Sequence, residues 1–328
     1  MKIIFICNNY GKIYDGIGMY TYNLAEEMKK INPEILIITG KVIGKKRINT
    51  WELFINIMNF RINKNEKYYF IIEYPFLEWN LLTILLLYIK RISKKNIKYI
   101  LSLHEYQRVS FLRKIIINFL VKISDICILT DKKDLVQDKK YILRNIPSNI
   151  INTNINMVKN ENEFCYFGLI NKSKAFNEMI SGWKKFNRGK KYILNIYTSS
   201  NIKIDNMNDY NIRIYKNLSN EILSQEIQRN KYMILPIIPY ISYNNGTFKT
   251  AACHKCIPIG IFCNELKYLG INIEDNVYTK ENIKEALEKA ILTNNKKEIL
   301  KNLDSFSKEN SFKKISESII ELINLLEK

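Results

Sequence analysis

Three residues, Asn245, Gly246 and Thr247, stand immediately before a short helical pattern of small and apolar residues marked by Phe248, Ala251 and Ala252. Free backbone N–H groups and the positive end of a helix dipole gather at such a point, and phosphate is their usual guest. An ordinary capped helix joining two strands carries the same spelling. His104 and Glu105 close an apolar strand pattern, KYILSLHE, and Asp15 and Gly16 sit in a polar loop after the first strand. In parallel α/β folds these strand ends carry the ligand-binding loops. The pair Cys253 and Cys256, with His254 between them and Cys263 nearby, invites a metal reading. Structural zinc needs four ligands, usually as two close pairs, and only one close pair is present. Small thiols buried where a helix meets a sheet are the expectation, with no metal site.

The elements that must hold these residues alternate along the chain. KIIFIC (2–7) is a continuous apolar run, as in a parallel strand buried on both faces, and Asn8 to Gly18 follow as a polar, glycine-containing loop. Ile17, Tyr20, Leu24 and Met28 then recur at helical spacing. Strand patterns at 34–40, 68–75, 98–105 and 125–130 alternate with helical patterns at 51–60, 77–95 and 111–124, and a short strand and turn come at 141–149. Residues 149–162 are polar, rich in Asn and without period, as in a linker. A second series follows, with strands at 163–170, 191–199, 211–217 and 257–262 and helices at 175–186 and 218–230, the latter capped by Ser219. Three helical patterns close the chain.

At 328 residues the chain exceeds one ordinary core, so two domains are expected. With 47% hydrophobic residues it is globular rather than disordered. Its 51 Lys and Arg against 32 Asp and Glu give a net charge of +19. Residues 1–150 hold 25 of those basic residues and 13 of the acidic ones, so the N-terminal half is the more basic. That field favours anionic lipid surfaces, polyanions or phosphorylated small molecules. The apolar start, Ile3 to Cys7, is too short for an export signal, and the longest apolar run, Leu81 to Ile89, is about half a bilayer span. A reduced, cytoplasmic protein is the expectation. The loop NNYGKIYDGIG lacks both the dinucleotide and the Walker spacing.

The pieces DGIGMYTYNLAEEM (15–28), HEY (104–106), SDICILT (124–130), YFGLINKSKAFNEMI (166–180), NGTFKTAACHKCIPIG (245–260) and FSKENSFKKISESIIELI (306–323), in that order, resemble the GT-B glycosyltransferases, more narrowly glycosyltransferase family 4 and its relatives. The resemblance covers most of the chain. It implies an α/β chain of two doubly wound, Rossmann-like domains facing across a cleft. Residues 1–150 would be the acceptor-side domain, 151–305 the nucleotide-sugar domain, and 306–328 a closing helix that crosses back to the first. The donor diphosphate would be held by Asp15 to Gly18, including Gly16 and Gly18, by Gly168 and Lys174, and by Asn245, Gly246 and Thr247. His104 would orient a sugar hydroxyl, or simply cap its strand at the cleft rim, and Asp15 or Glu105 would serve as base. Leu169 stands where the family commonly has Arg, and Tyr243 and Ala251 where it commonly has a pair of glutamates.

The activity so implied is transfer of a sugar from a UDP- or GDP-linked donor to a hydroxyl of a glycan or lipid-linked glycan in surface polysaccharide assembly. It would need no metal cofactor and no nucleic-acid partner. The alternative is an inactive partner subunit of a glycosyltransferase complex, and a nucleic-acid binder, motivated by charge alone, lacks any recognised module. The basic, aromatic helices WELFINIMNFRI, LLLYIKRISKK and SFLRKIIINFLVKIS have two uses: to rest on an anionic membrane as a peripheral protein, or to cover the sheet with their apolar residues and solvate their lysines. Covering the sheet is the commoner use of such a face, and is the expectation.

Overall fold

The computed structural model describes residues 1–327 apart from 8–9, 12–15, 41, 44–46, 49, 75–80, 105–109, 131–140 and 153–156. The chain divides into two compact units, Met1–Ile146 with Asn310–Lys328, and Pro147–Glu309.

In the first unit the strands are β1 (Lys2–Cys7), β2 (Ile35–Thr39), the short antiparallel pair β3 (Val42–Ile43) and β4 (Arg47–Ile48), β5 (Tyr68–Tyr74), β6 (Ile97–Leu103), β7 (Ile126–Leu129) and β8 (Tyr141–Leu143). The helices are α1 (Gly16–Lys29), α2 (Thr50–Asn59), α3 (Leu81–Ser93) and α4 (Phe111–Ile123). Six strands form one sheet in the order β2-β1-β5-β6-β7-β8, every pairing parallel. Continuous apolar strands such as KIIFIC and YYFIIEY suit it, because each face is covered. On one face Ile4, Phe70 and Leu101 meet Leu53, Leu87, Leu120 and their neighbours from α2, α3 and α4. On the other, Phe5, Ile71 and Ile100 meet Tyr20 and Leu24 of α1 and Phe312, Ile315, Ile319 and Ile323 from the end of the chain.

The second unit contains β9 (Asn160–Phe167), β10 (Ile193–Thr198), β11 (Ile212–Lys216), β12 (Asn230–Leu235), β13 (Ile257–Gly260) and β14 (Ile271–Asn272), in the parallel order β11-β10-β9-β12-β13-β14. Its helices are α5 (Phe176–Phe186), α6 (Asn220–Arg229), α7 (Gly246–Cys253), α8 (Lys280–Leu292) and α9 (Lys296–Glu309); α10 (Phe312–Leu325) belongs to the first unit. α5 and α8 approach closely at Gly182, where a Cβ would lie 2.7 Å from Ile283 Cγ2. Ser219 caps α6 through Ile222 N–H, as its spelling implies.

β9 begins at Asn160, inside the polar stretch expected to be linker. Its first residues, Asn160 to Asn162, are exposed polar residues in strand conformation, which periodicity cannot reveal. Gly16 and Gly18, expected in a loop, lie in the first turn of α1. A Cβ at Gly16 would meet open space, so that turn does not depend on the missing side chain.

Candidate functional site

In the second unit three of the predicted residues converge at the C-terminal end of β9. Gly168, the residue after β9, has φ +123°, and a Cβ there would lie 2.6 Å from Lys174 Nζ and 3.6 Å from Thr247 Oγ1. The left-handed backbone excludes other side chains at low cost, and the bare Cα leaves room for the ammonium. Lys174 rides on a loop tied at both ends. Asn171 Oδ1 accepts from Ser173 N–H and Oγ–H, Ala175 N–H donates to Pro236 O at 2.7 Å, and Ile238 N–H donates to Ser173 O at 2.9 Å. The Lys174 ammonium lies 5.1 Å from the Tyr166 ring centroid, a cation–π placement. Among the described residues no carboxylate lies within ion-pair distance of it. Burial pushes its pKa down to about 8, because desolvation disfavours the charged form.

Thr247 comes from the first turn of α7. Asn245 is the N-cap, its side-chain oxygen accepting from Phe248 N–H at 2.9 Å. A Cβ on Gly246 would meet nothing within 4 Å, so the helix entrance is open in front of it. Thr250 Oγ bonds back to Gly246 O at 3.0 Å and contacts Ser148 Oγ at 3.0 Å, tying the helix to the segment that precedes β9. The cap satisfies one N–H of the first turn, leaving others to face an anion.

One residue of this helix was not foreseen. Lys249 is 3% exposed, and its Nζ is buried with no hydrogen-bond partner. Burial drives its pKa down to about 7. On a helical wheel it stands about 200° from Thr247, so it belongs to the opposite face of α7 and not to the Gly168–Lys174–Thr247 cluster. His254, at the end of α7, is also buried; its ring bonds Ser224 Oγ and Thr250 O at 2.9 Å each, and burial lowers its pKa to about 4. It is a neutral structural histidine. Cys256 Sγ lies 3.3 Å from both Ile227 O and Asn230 O, and none of the six cysteines is in a disulfide. Among the described residues no group of three or more His, Cys, Asp or Glu could hold a metal.

In the first unit His104 follows the end of β6. Its N–H donates to Tyr74 O at 2.9 Å, its carbonyl accepts from Thr130 Oγ at 3.1 Å, and its ring meets Tyr20 edge-on at 4.8 Å. Nε2 lies 2.6 Å from Glu73 Oε2. Glu73 is fully buried, and its Oε1 has no partner. The contact between Nε2 and Glu73, with Ser102 Oγ 3.5 Å from the same nitrogen, fixes the orientation of the ring, which is how a second group sets the role of a histidine. The sequence reading missed Glu73. The signal was a lone acid in a strand buried on both faces, whose parallel register pairs it with Ser102, two residues before His104 on the same face. Asp15 and Glu105 lie outside the described residues.

The positions where a glutamate pair was sought are occupied differently. Ala251 is fully buried, and Tyr243 places its hydroxyl 3.4 Å from Glu265 O and its ring 6.1 Å from that of Phe306.

No family model and no curated protein matches the sequence. Solved structures do match in shape. A sucrose-phosphate synthase from Thermosynechococcus elongatus superposes with TM-score 0.66 at 12% identity, over 99% of each chain. An α-glucosyltransferase in complex with UDP and a 13-mer DNA gives 0.63 at 13% identity over 100% of both chains. A trehalose-6-phosphate structure from E. coli bound with UDP-2-fluoro glucose gives 0.65 at 9% identity over 98% of both. At such identity the likeness is one of architecture, and it shows that this chain has the GT-B fold, two Rossmann-like units in one polypeptide.

Proposed function

We propose that the protein is a glycosyltransferase that moves a sugar from a nucleoside-diphosphate donor to a hydroxyl of a glycan or lipid-linked glycan, in surface polysaccharide assembly at the inner face of the membrane. The observation that carries this reading is the meeting of Gly168, Lys174 and Thr247 at the entrance of α7. Breaking a sugar–phosphate bond leaves a diphosphate on which negative charge grows. A buried ammonium and helix N–H groups stabilise that charge in place, without calling on a metal ion. Asn245 and Gly246 extend the same cradle. In this reading the second unit binds a UDP- or GDP-linked donor and the first binds the acceptor. His104, oriented by its contact with Glu73, orients a hydroxyl at the first unit's strand ends, with Asp15 or Glu105 as base. UDP in two of the structural neighbours supports the donor class. The DNA belongs to the α-glucosyltransferase complex and has no part in this reading.

Isothermal titration with UDP, GDP and UMP tests it. Micromolar binding of one diphosphate is expected, weakened at least tenfold in Lys174→Met and unchanged by a chelator. If neither diphosphate binds, the reading fails. Ala251 and Tyr243, in place of the sought carboxylates, favour a second reading in which the protein binds nucleotide as an inactive partner subunit. Binding without turnover of any sugar nucleotide, across a panel of acceptors, would select it.

A further inference from the structure

The outer surface of α3 and α4 is apolar where a water-facing surface is normally polar. α3 buries Thr83, Ile84 and Leu87 against the sheet, as expected. Its opposite side carries Leu81, Leu82, Leu85, Ile89 and Ile92, each between 46% and 70% exposed. Four of these fall at i, i+4, i+8 and i+11, a single stripe along the helix. A helix apolar on both sides belongs in a core or in lipid, and this one is covered on one side only. On α4 the first turn exposes Phe111 at 77% and Leu112 at 73%, with Ile115 one turn on. The two helices touch through Tyr88 and Phe119, ring centroids 5.4 Å apart, so the stripe and the turn are neighbours on one surface. The expectation that these helices spend their apolar residues on the sheet therefore holds for one face of each and fails for the other.

The charges carried by the two helices themselves are all basic, Arg91 of α3 pairing with Asp125 beyond the end of α4. α3 and α4 contain no Asp or Glu, whereas Arg113 and Lys114 follow directly on Phe111 and Leu112, Lys122 ends α4, and Lys94 and Lys95 follow α3. Apolar side chains flanked by lysine and arginine are the composition that enters the headgroup layer of an anionic bilayer, with the long basic chains reaching phosphate. A protein–protein interface core, by contrast, is depleted of lysine. None of the described helices is long and apolar enough to span a membrane. Position adds a reason. In a parallel sheet each helix starts near the C-terminal end of the strand before it, so the first turns of α3 and α4 lie at the strand ends of β5 and β6, where Glu73 and His104 sit.

We propose that the outer face of α3 and α4 docks on an anionic lipid bilayer, with Phe111, Leu112 and Leu81 inserted at the edge nearest His104. This deepens the reading above, since a lipid-borne acceptor would then wait in the same plane as the histidine.

Vesicle flotation of the full chain tests it, using mixed phosphatidylglycerol–phosphatidylcholine vesicles and pure phosphatidylcholine vesicles at low and high salt. Binding to the anionic vesicles at least tenfold stronger than to the neutral ones is expected, reduced by salt. Two separate variants, L85E/I89E on α3 and F111S/L112S on α4, should each lower it about tenfold or more while leaving the melting temperature and nucleotide affinity unchanged. Wild-type protein that ignores anionic vesicles at low salt overturns the proposal, as do two folded variants that bind them like wild type. So does a dimer in light scattering that both variants dissociate with no vesicle binding, which would assign the face to a second copy of the chain. Nucleotide titration on the same samples reports separately on the donor site, so loss of docking and loss of the transferase reading give different results.

Discussion

Two lysines of the second unit, one half-buried and one buried, have opposite physical situations, and their substitution should have opposite effects. Lys174 is half-buried beside Gly168 and the Tyr166 ring, at the open entrance of α7. A bound diphosphate would restore the charge that burial weakens, so binding takes up a proton when the free lysine is neutral. With its pKa down at about 8, diphosphate affinity is full below that pH and falls as pH rises through it. From about pH 7 to about pH 9 titration calorimetry should show roughly a tenfold loss in wild type and a flat profile in Lys174→Met. Lys249 has no such ligand in prospect, lying on the far side of α7 without a partner. Replacing a buried, unpaired ammonium by an apolar chain of similar length removes a desolvation cost, so Lys249→Met should stabilise the fold at pH 7 by about 1–3 kcal/mol. The sign with pH follows from the shift. Lys249 keeps its ordinary value near 10.5 when unfolded but is down at about 7 when folded, so between these values the unfolded chain holds the extra proton and wild-type stability rises. The variant's advantage in chemical denaturation should shrink over that window, and a constant advantage would refute the assignment.

At the scale of the element, α7 is a capped helix and, in the proposed function, an anion cradle, and substitution at its cap separates the two. Asn245→Ala removes the bond to Phe248 N–H and should cost about 1 kcal/mol of stability as well as diphosphate affinity. Asn245→Asp keeps a good cap and favours the helix dipole, so stability should hold, yet its carboxylate faces the diphosphate and affinity should fall about tenfold or more. Equal affinity of wild type and Asn245→Asp would remove α7 from the donor site. This helix was legible in the sequence, because a cap residue followed by small residues between two apolar runs leaves few other foldings. The strands were legible for the same reason: KIIFIC and YYFIIEY are buried on both faces and so carry no period to misread. Glu73 was not, since its meeting with His104 depends on the register of two strands whose partner residues lie 31 apart in the chain. Lys249 was not, because the spelling of an eight-residue helix does not say which of its sides will be closed. The apolar faces of α3 and α4 were read as core for a related reason. Hydrophobic residues around the whole of a helix announce burial without saying how many layers cover it.

At the scale of the whole molecule, the end of the chain decides the stability of its beginning. α10 belongs to the first unit, where Phe312, Ile315, Ile319 and Ile323 are buried against Tyr20, Leu24 and the strands β1 and β5. Tyr69 Oη donates to Glu327 Oε1 at 2.9 Å, fastening the last turn to the sheet. Four buried apolar side chains at about 1.5–3 kcal/mol each amount to roughly 6–12 kcal/mol, comparable to the whole stability of a domain. A chain ended at Asn310 should therefore lose the first unit while the second, closed within Pro147–Glu309, keeps its fold. Limited proteolysis would then leave a protected fragment of the second unit, and vesicle binding would go with the first. The single substitution Ile319→Ala makes the same point more gently. It should lower the stability of the first unit by about 2–4 kcal/mol, and with it that unit's melting temperature, and leave the second unit's in place, because two units with separate cores need not melt together. If Ile319→Ala shifted both transitions equally, the two cores would be one cooperative system, and the proposed docking face would be thermodynamically coupled to the proposed phosphate cradle.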